Sequence, residues 1–138
     1  MLNAVAALKE YFESDALQTL LTGHPDRDLP IYVDRYPAGC KACCLMLTRE
    51  GGLPGDEDVP SMDSPSIRIW CRHQYASDAF QLMQNVDMVL HRVSRKNLTS
   101  TVRMMACKRN AGPERVDSTN NKLVRYYTLY DMILVPIE

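Results

Sequence analysis

SIRIWCRHQYASDAFQLMQNVDMVLHR, residues 66–92, decides the fold. Its first part alternates, with Ile67, Ile69 and Cys71 on one side and Arg68, Trp70 and Arg72 on the other. A period of two is the mark of a strand with one face toward a core. Its second part places Ala79, Leu82, Met83, Val86, Val89 and Leu90 at helical spacing. That is the stripe of an amphipathic helix with one face buried. Ser77 and Asp78 are the expected N-terminal cap. His91 is expected in the last helical turn, where a cation is favourable. Trp70 on the charged side of the strand implies that this face is partly covered too, by a helix or by another subunit.

Outward from this stretch, the other elements follow from punctuation and period. Residues 2–13 place Leu2, Val5, Leu8 and Phe12 on one helical face. Ser14 and Asp15 restart or cap a further turn carrying Leu17, Leu20 and Leu21. Gly23 then ends the helix. IYVDRY, residues 31–36, lies between prolines and reads as a first strand. ACCLMLTRE, residues 42–50, reads as a second strand, paired with the first as a hairpin through Pro37 to Gly39. Glycines, prolines and the acidic residues Asp56, Glu57, Asp58 and Asp63 make residues 50–65 a long mobile loop. SRKNLTST, residues 94–101, reads as a polar connection. VRMMACKR, residues 102–109, reads as a strand, and Asn110 to Pro113 as a turn. The last strand, residues 123–135, is two-sided: Val124, Tyr126, Thr128, Tyr130, Met132 and Leu134 share one face, and Arg125, Tyr127, Leu129, Asp131 and Ile133 the other. The expected fold is α+β, in the order α-β-β-β-α-β-β. It has a mostly antiparallel twisted sheet of about five strands with two helices packed on it.

At 138 residues the chain is most simply one domain. It is long enough to bury about two thirds of the surface its unfolded form exposes. With 46% hydrophobic and 24% charged residues, wholesale disorder is not expected. No apolar run approaches the roughly 20 residues of a membrane span. The N-terminus lacks a basic region and meets acidic residues early, so a secretory signal is not expected. The net charge of −1 hides a polarity. Residues 1–65 carry 5 Lys/Arg against 11 Asp/Glu, and residues 66–138 carry 11 against 6. Opposed charges suit head-to-tail association, unless the two halves interleave in one sheet and the asymmetry vanishes on folding.

Candidate chemistry is sparse. Cys40, Cys43 and Cys44 form a CxxCC run, and Cys71 and His73 lie two apart on a later strand. Thiolates and imidazole suit tetrahedral zinc, so Cys40, Cys43, Cys71 and His73 are the metal candidates. A second clean CxxC is missing, and reduced thiols are the simpler reading for an odd number of cysteines. His24, His73 and His91 are not placed with a nucleophile as a triad requires. The acidic loop lacks the ligand spacing of calcium loops. The basic residues Arg92, Arg95, Lys96, Arg103, Lys108, Arg109 and Arg115 are not interleaved with aromatics as in nucleic-acid stacking platforms. No catalytic site and no cofactor are expected.

One resemblance covers nearly the whole chain. SIRIWCRHQ running straight into SDAFQLMQNVDMVLHR, the closing segment GPERVDSTNNKLVRYYTLYDMILV and the short leading helix ahead of IYVDRYP together resemble the tail terminator proteins of long-tailed bacteriophages. These are also called tail completion or minor capsid proteins. The resemblance is one of pattern and architecture, without a sharp motif. It implies a non-enzymatic virion protein of the tail or neck, assembled in the host cytoplasm. It implies a hexameric ring at the head-proximal end of the tail tube that stops tube polymerisation and meets the head connector or stopper protein. DNA would pass through the lumen without sequence-specific binding. A conduit should not hold its cargo, and phosphate affinity grows with each Lys or Arg. The acidic loop (Asp56, Glu57, Asp58, Asp63) is therefore expected to face the lumen or the tube, with basic residues mostly in subunit contacts. Arg68, Trp70, Arg72 and Tyr127 are the expected subunit interface. A head–tail connector or stopper, and a zinc-stabilised binding module built on the cysteines, are the competing readings.

Overall fold

The alternating stretch is strand β3 (Ser64–His73) in the computed structural model, which describes residues 3–23, 28–53, 62–117 and 123–137. Ile67, Ile69 and Cys71 are fully buried on one face of it, while Arg68 and Trp70 are half-buried on the other. Helix α3 (Ala76–Leu90) follows at once. Ala79, Leu82, Met83, Val86 and Leu90 are its buried stripe, at the spacing the sequence predicts. Its N-terminus differs from expectation. Tyr75 is the cap residue and no side chain caps the helix. Asp78 lies inside the first turn, where a carboxylate still favours the positive end of the helix dipole. His91 stands just past the last turn as the C-cap.

Two helices precede the sheet where one broken helix was expected. Helix α1 (Ala4–Glu13) ends at Ser14, whose extended backbone and hydroxyl both turn back to the Tyr11 carbonyl. Helix α2 (Asp15–Thr22) starts afresh and closes on left-handed Gly23. The Gln18 amide ties the pair to the following segment, donating to the Phe12 and Leu29 carbonyls at 2.9 and 3.0 Å. With α3 this makes three helices among the described residues.

Among the described residues, six strands form the sheet, in the order β1-β2-β3-β6-β5-β4. Strand β1 (Ile31–Val33) pairs with β2 (Cys44–Leu53) in parallel, Ile31 opposite Leu45. The expected hairpin is therefore corrected, and the sheet is mixed. The cause is local. Asp34 adopts φ 66, which ends β1 after three residues. The chain then has residues 34–43 in which to return and re-enter in the same direction. The expected loop at 50–65 is also shortened at both ends. Strand β2 runs on through a bulge at Arg49/Gly51, and Asp63 exchanges backbone hydrogen bonds with Leu134 just before β3. Asp56, Glu57 and Asp58 lie outside the described residues.

The expected polar connection after α3 contains an edge strand, β4 (Ser94–Asn97), with all four residues exposed. The expected turn at Asn110–Pro113 is a pair of bulges inside one long strand, β5 (Val102–Asp117). Gly112 makes this possible. Its φ of 92 favours glycine, and a Cβ there would stand 2.6 Å from the Tyr127 carbonyl oxygen. Pro113 sits at the bulge, out of the hydrogen-bond ladder, as prolines in sheets do. Strand β6 (Val124–Pro136) fills the centre between β3 and β5. Its two faces divide as the sequence predicts, with Thr128, Tyr130, Met132 and Leu134 buried.

All three helices pack on the face carrying Ile67, Ile69, Tyr130 and Met132. Helix α3 is tied to the sheet by polar contacts as well. Its Asp87 accepts from the Tyr130 hydroxyl at 2.8 Å and from Arg109 Nη1 at 3.0 Å. Burial first, and then the bond to Asp87, hold the Tyr130 proton far above the usual phenol range. The opposite face of the sheet carries no helix among the described residues.

Candidate assembly surface

On the uncovered face, sheet register brings together residues distant in sequence. Trp70 on β3 lies opposite Met46 on β2 and Tyr127 on β6, and Tyr127 lies opposite Glu114 on β5. This row crosses four strands. The Trp70 and Tyr127 rings are 5.0 Å apart and tilted. Such aromatic pairs contribute about 0.5–1.5 kcal/mol beyond the area they bury. Arg68, one register step away, holds its guanidinium 4.6 Å from the Tyr127 ring and 5.7 Å from Trp70. Arg125 holds its own 5.2 Å from Trp70. Two cations therefore lie over one indole, each such contact adding roughly 0.5–2 kcal/mol.

The array leaves polar atoms unused. Arg68 Nε and Arg125 Nε are buried without a hydrogen-bond acceptor. The nearest charge to Arg68 Nε, on Glu50, is 3.7 Å away. Both side chains are laid along rings rather than extended to acceptors. The Tyr127 hydroxyl donates to the Glu114 carboxylate, and this bond chiefly keeps its proton on above the ordinary range. An aromatic surface flanked by arginine is the composition enriched at the centres of protein interfaces.

Arg72, expected on the same interface, is only 6% exposed. It lies across the 36–43 connection. Its Nε donates to the Ala42 carbonyl at 3.2 Å, and Nη2 lies 2.8 Å from both the Lys41 carbonyl and Cys40 Sγ. Its guanidinium also stacks 4.0 Å from the Tyr36 ring. The sequence signal for Arg72 was its face, which is right; its partners come from a connection whose path no pattern reveals. Arg68, Trp70 and Tyr127 remain together at the surface.

The acidic set is divided. Asp63 is 7% exposed, and its carboxylate takes both terminal nitrogens of Arg49 at 2.9 and 3.0 Å. A two-pronged pair of this kind fixes geometry strongly, so Asp63 anchors the end of the segment that carries Asp56, Glu57 and Asp58.

The zinc candidates do not converge. Cys40 is at Arg72, on the uncovered face, whereas Cys71 points into the helix-covered core, 3.9 Å from Met83 Sδ. Cys43 and His73 line one cleft of about 550 Å³ beside α2 and α3, and His73 faces Asp78 at 3.8 Å. Among the described residues, no three His, Cys, Asp or Glu side chains are placed to hold a metal ion. All five cysteines are free thiols. Burial pushes the Cys44 thiol up to about 11 and that of Cys107 to about 12, which keeps both protonated and unreactive. His91 Nδ1 accepts weakly, at 3.4 Å, from the Arg109 backbone N–H, and is occupied in shaping the α3–β4 turn.

Arg125, Glu114 and Met46 belong to the array but were not singled out by sequence. Arg125 could have been, because it shares the Tyr127 face of β6 by period two. Glu114 could not, because two bulges set its register.

Comparison with known proteins agrees with the architecture. Residues 16–135 match a family described as bacteriophage tail terminator protein. No curated protein matches the chain by sequence. Among solved structures, a chain of the virion of a native gene transfer agent particle is similar in fold, with a TM-score of 0.65 at 12% identity. The likeness covers 96% of this chain and 94% of that one.

Proposed function

The chain belongs to the bacteriophage tail terminator family, and from that premise we propose that it is a structural, non-enzymatic protein of the virion tail. It forms a hexameric ring at the head-proximal end of the tail tube. The ring ends tube polymerisation and presents a surface to the head connector or stopper protein, and DNA passes through its lumen. The observation that carries this reading is the uncovered sheet face. Arg68, Trp70, Arg125 and Tyr127 form a half-buried array over which the chain lays no element of its own among the described residues. In the ring this array meets a neighbouring subunit, and Arg72, on the same face of β3, holds the 36–43 connection beside it.

The acidic segment serves the lumen or the tube. Asp56, Glu57 and Asp58 repel DNA phosphates and so prevent the conduit from holding its cargo. The Arg49–Asp63 pair fixes where that segment leaves the sheet. Particles gather these contacts in the host cytoplasm and carry the ring in the tail or neck.

Adding the purified protein to polymerising tail tube protein tests the function directly. Electron microscopy should show tubes that stop growing and carry a ring at one end. Tubes whose length distribution is unaffected, with bare ends, would overturn the terminator role.

A further inference from the structure

The charge polarity of the sequence survives folding. Sheet order places β1 at one edge and β4 at the other, so the acidic and basic parts of the chain are separated rather than interleaved. At the β4 end, residues 88–113 contain Arg92, Arg95, Lys96, Arg103, Lys108 and Arg109, and no Asp or Glu. Arg109 is paired with Asp87 and Arg103 bonds Asn97. Arg92, Arg95, Lys96 and Lys108 are exposed and form no salt bridge among the described residues. At the β1 end, α1 packs over β1 and β2. Across described residues 3–23 and 28–34, Glu10, Glu13, Asp15, Asp28 and Asp34 are all exposed, against Lys9 alone, which is ion-paired to Glu13 at 2.8 Å. Arg35 and Lys41 are the next cations along the chain.

We propose that the basic β4 edge of one subunit docks against the acidic α1–α2 end of a second copy of this chain. The contact is head-to-tail. Each subunit offers both surfaces, β4 at one edge of the sheet and α1 packed over β1 and β2 toward the other, with Lys96 reaching a cleft that Tyr11 and Leu20 also line. Two different surfaces of one chain make the heterologous contact that closes into a ring when the rotation per subunit allows it. Complementary charge steers the encounter and fixes its register, while the Trp70 array supplies apolar contact. Edge-strand cations also prevent unwanted strand pairing. That role accounts for Arg95 and Lys96, and Lys108 lies opposite Asp131 in the sheet, but neither explains Arg92 or the exposed carboxylates at the other end. The proposal rests on the ring reading and adds which ends meet.

Paired charge reversals test it. Arg95→Glu with Lys96→Glu reverses the basic edge, and Glu10→Lys with Glu13→Lys reverses the acidic end. All four side chains are exposed and, among the described residues, the one ion pair they make is Glu13 with Lys9 a turn away in the same helix, so the variants should fold; circular dichroism checks that. Native mass spectrometry should find each variant alone monomeric, with association at least roughly tenfold weaker than wild type. Mixed one to one, the two variants should assemble again, because every contact in an alternating ring then joins opposite charges. A wild type that is itself monomeric would overturn the ring reading and this proposal with it. A wild type that assembles, with variants that assemble equally or do not recover on mixing, would overturn this proposal alone. So would a β4 variant that loses duplex DNA binding while its assembly is intact.

Discussion

Trp70, Arg72 and Gly112 separate three jobs that side chains do in this protein. Trp70 lies on the uncovered face between two guanidinium groups, so Trp70→Ala removes little of the monomer's core. Thermal unfolding of the isolated variant should fall by several degrees, because the Tyr127 pair and the two guanidinium contacts are lost, but the monomer should still fold. Assembly should weaken by about 2 kcal/mol or more, the cost of truncating an aromatic at an interface centre. A monomer that unfolds instead would return Trp70 to the core. Arg72 works inside the chain. Arg72→Ala leaves two backbone carbonyls and the Tyr36 ring without their partner, at a cost of roughly 2–4 kcal/mol, or on the order of 10 °C in Tm. Arg72→Lys should not restore the loss, because an ammonium has no planar fork to serve carbonyls and a ring together. Gly112→Ala drives a Cβ against the Tyr127 carbonyl and should cost about 2 kcal/mol or more by denaturant unfolding. Sequence alone places Trp70 and Arg72 on one face of β3. It cannot distinguish a residue awaiting a neighbour from one held by residues 36–43, because that difference lies in a connection without periodicity.

Elements were legible where a face is buried along their whole length. The β3 alternation, the α3 stripe and the two faces of β6 each repeat over several residues, and each matches its burial. Elements were hidden where pairing, not burial, defines them. Strand β4 is four exposed polar residues and exists because β5 lies beside it. Strand β1 is too short to carry a direction, and its parallel pairing with β2 is decided by Asp34 and the path beyond. Strand β5 passes through Asn110–Pro113, a turn by composition, because Gly112 can press against β6 and a bulge can absorb Pro113. The array on the uncovered face inherits this pattern. Its β3 and β6 members follow from period two, and its β5 member does not.

For the molecule as a whole, the buried thiols and phenols set an alkaline limit. Cys44, Cys71, Cys107, Tyr36 and Tyr130 all hold their protons above their ordinary values, 9.0 for cysteine and 10.0 for tyrosine, chiefly because of burial. The unfolded chain releases these protons first. The stability they confer is therefore complete below pH 9 and is lost as pH rises toward about 12, the level reached by Tyr36 and Cys107. Tm should fall steadily above pH 9, whereas a flat profile to pH 12 would mean that these groups are not buried as described. The same whole-molecule view is what the proposed ring rests on. Among the described residues, one sheet face is closed by three helices, and the other carries the 36–43 connection at one end and the arginine–aromatic array beside it. Cryo-electron microscopy of the purified protein tests this most directly. The predicted result is a closed ring in which the Trp70 face lies against the neighbouring subunit and the β4 edge meets α1 and α2. A monomer at every concentration, or a ring with the Trp70 face open to solvent, would contradict it.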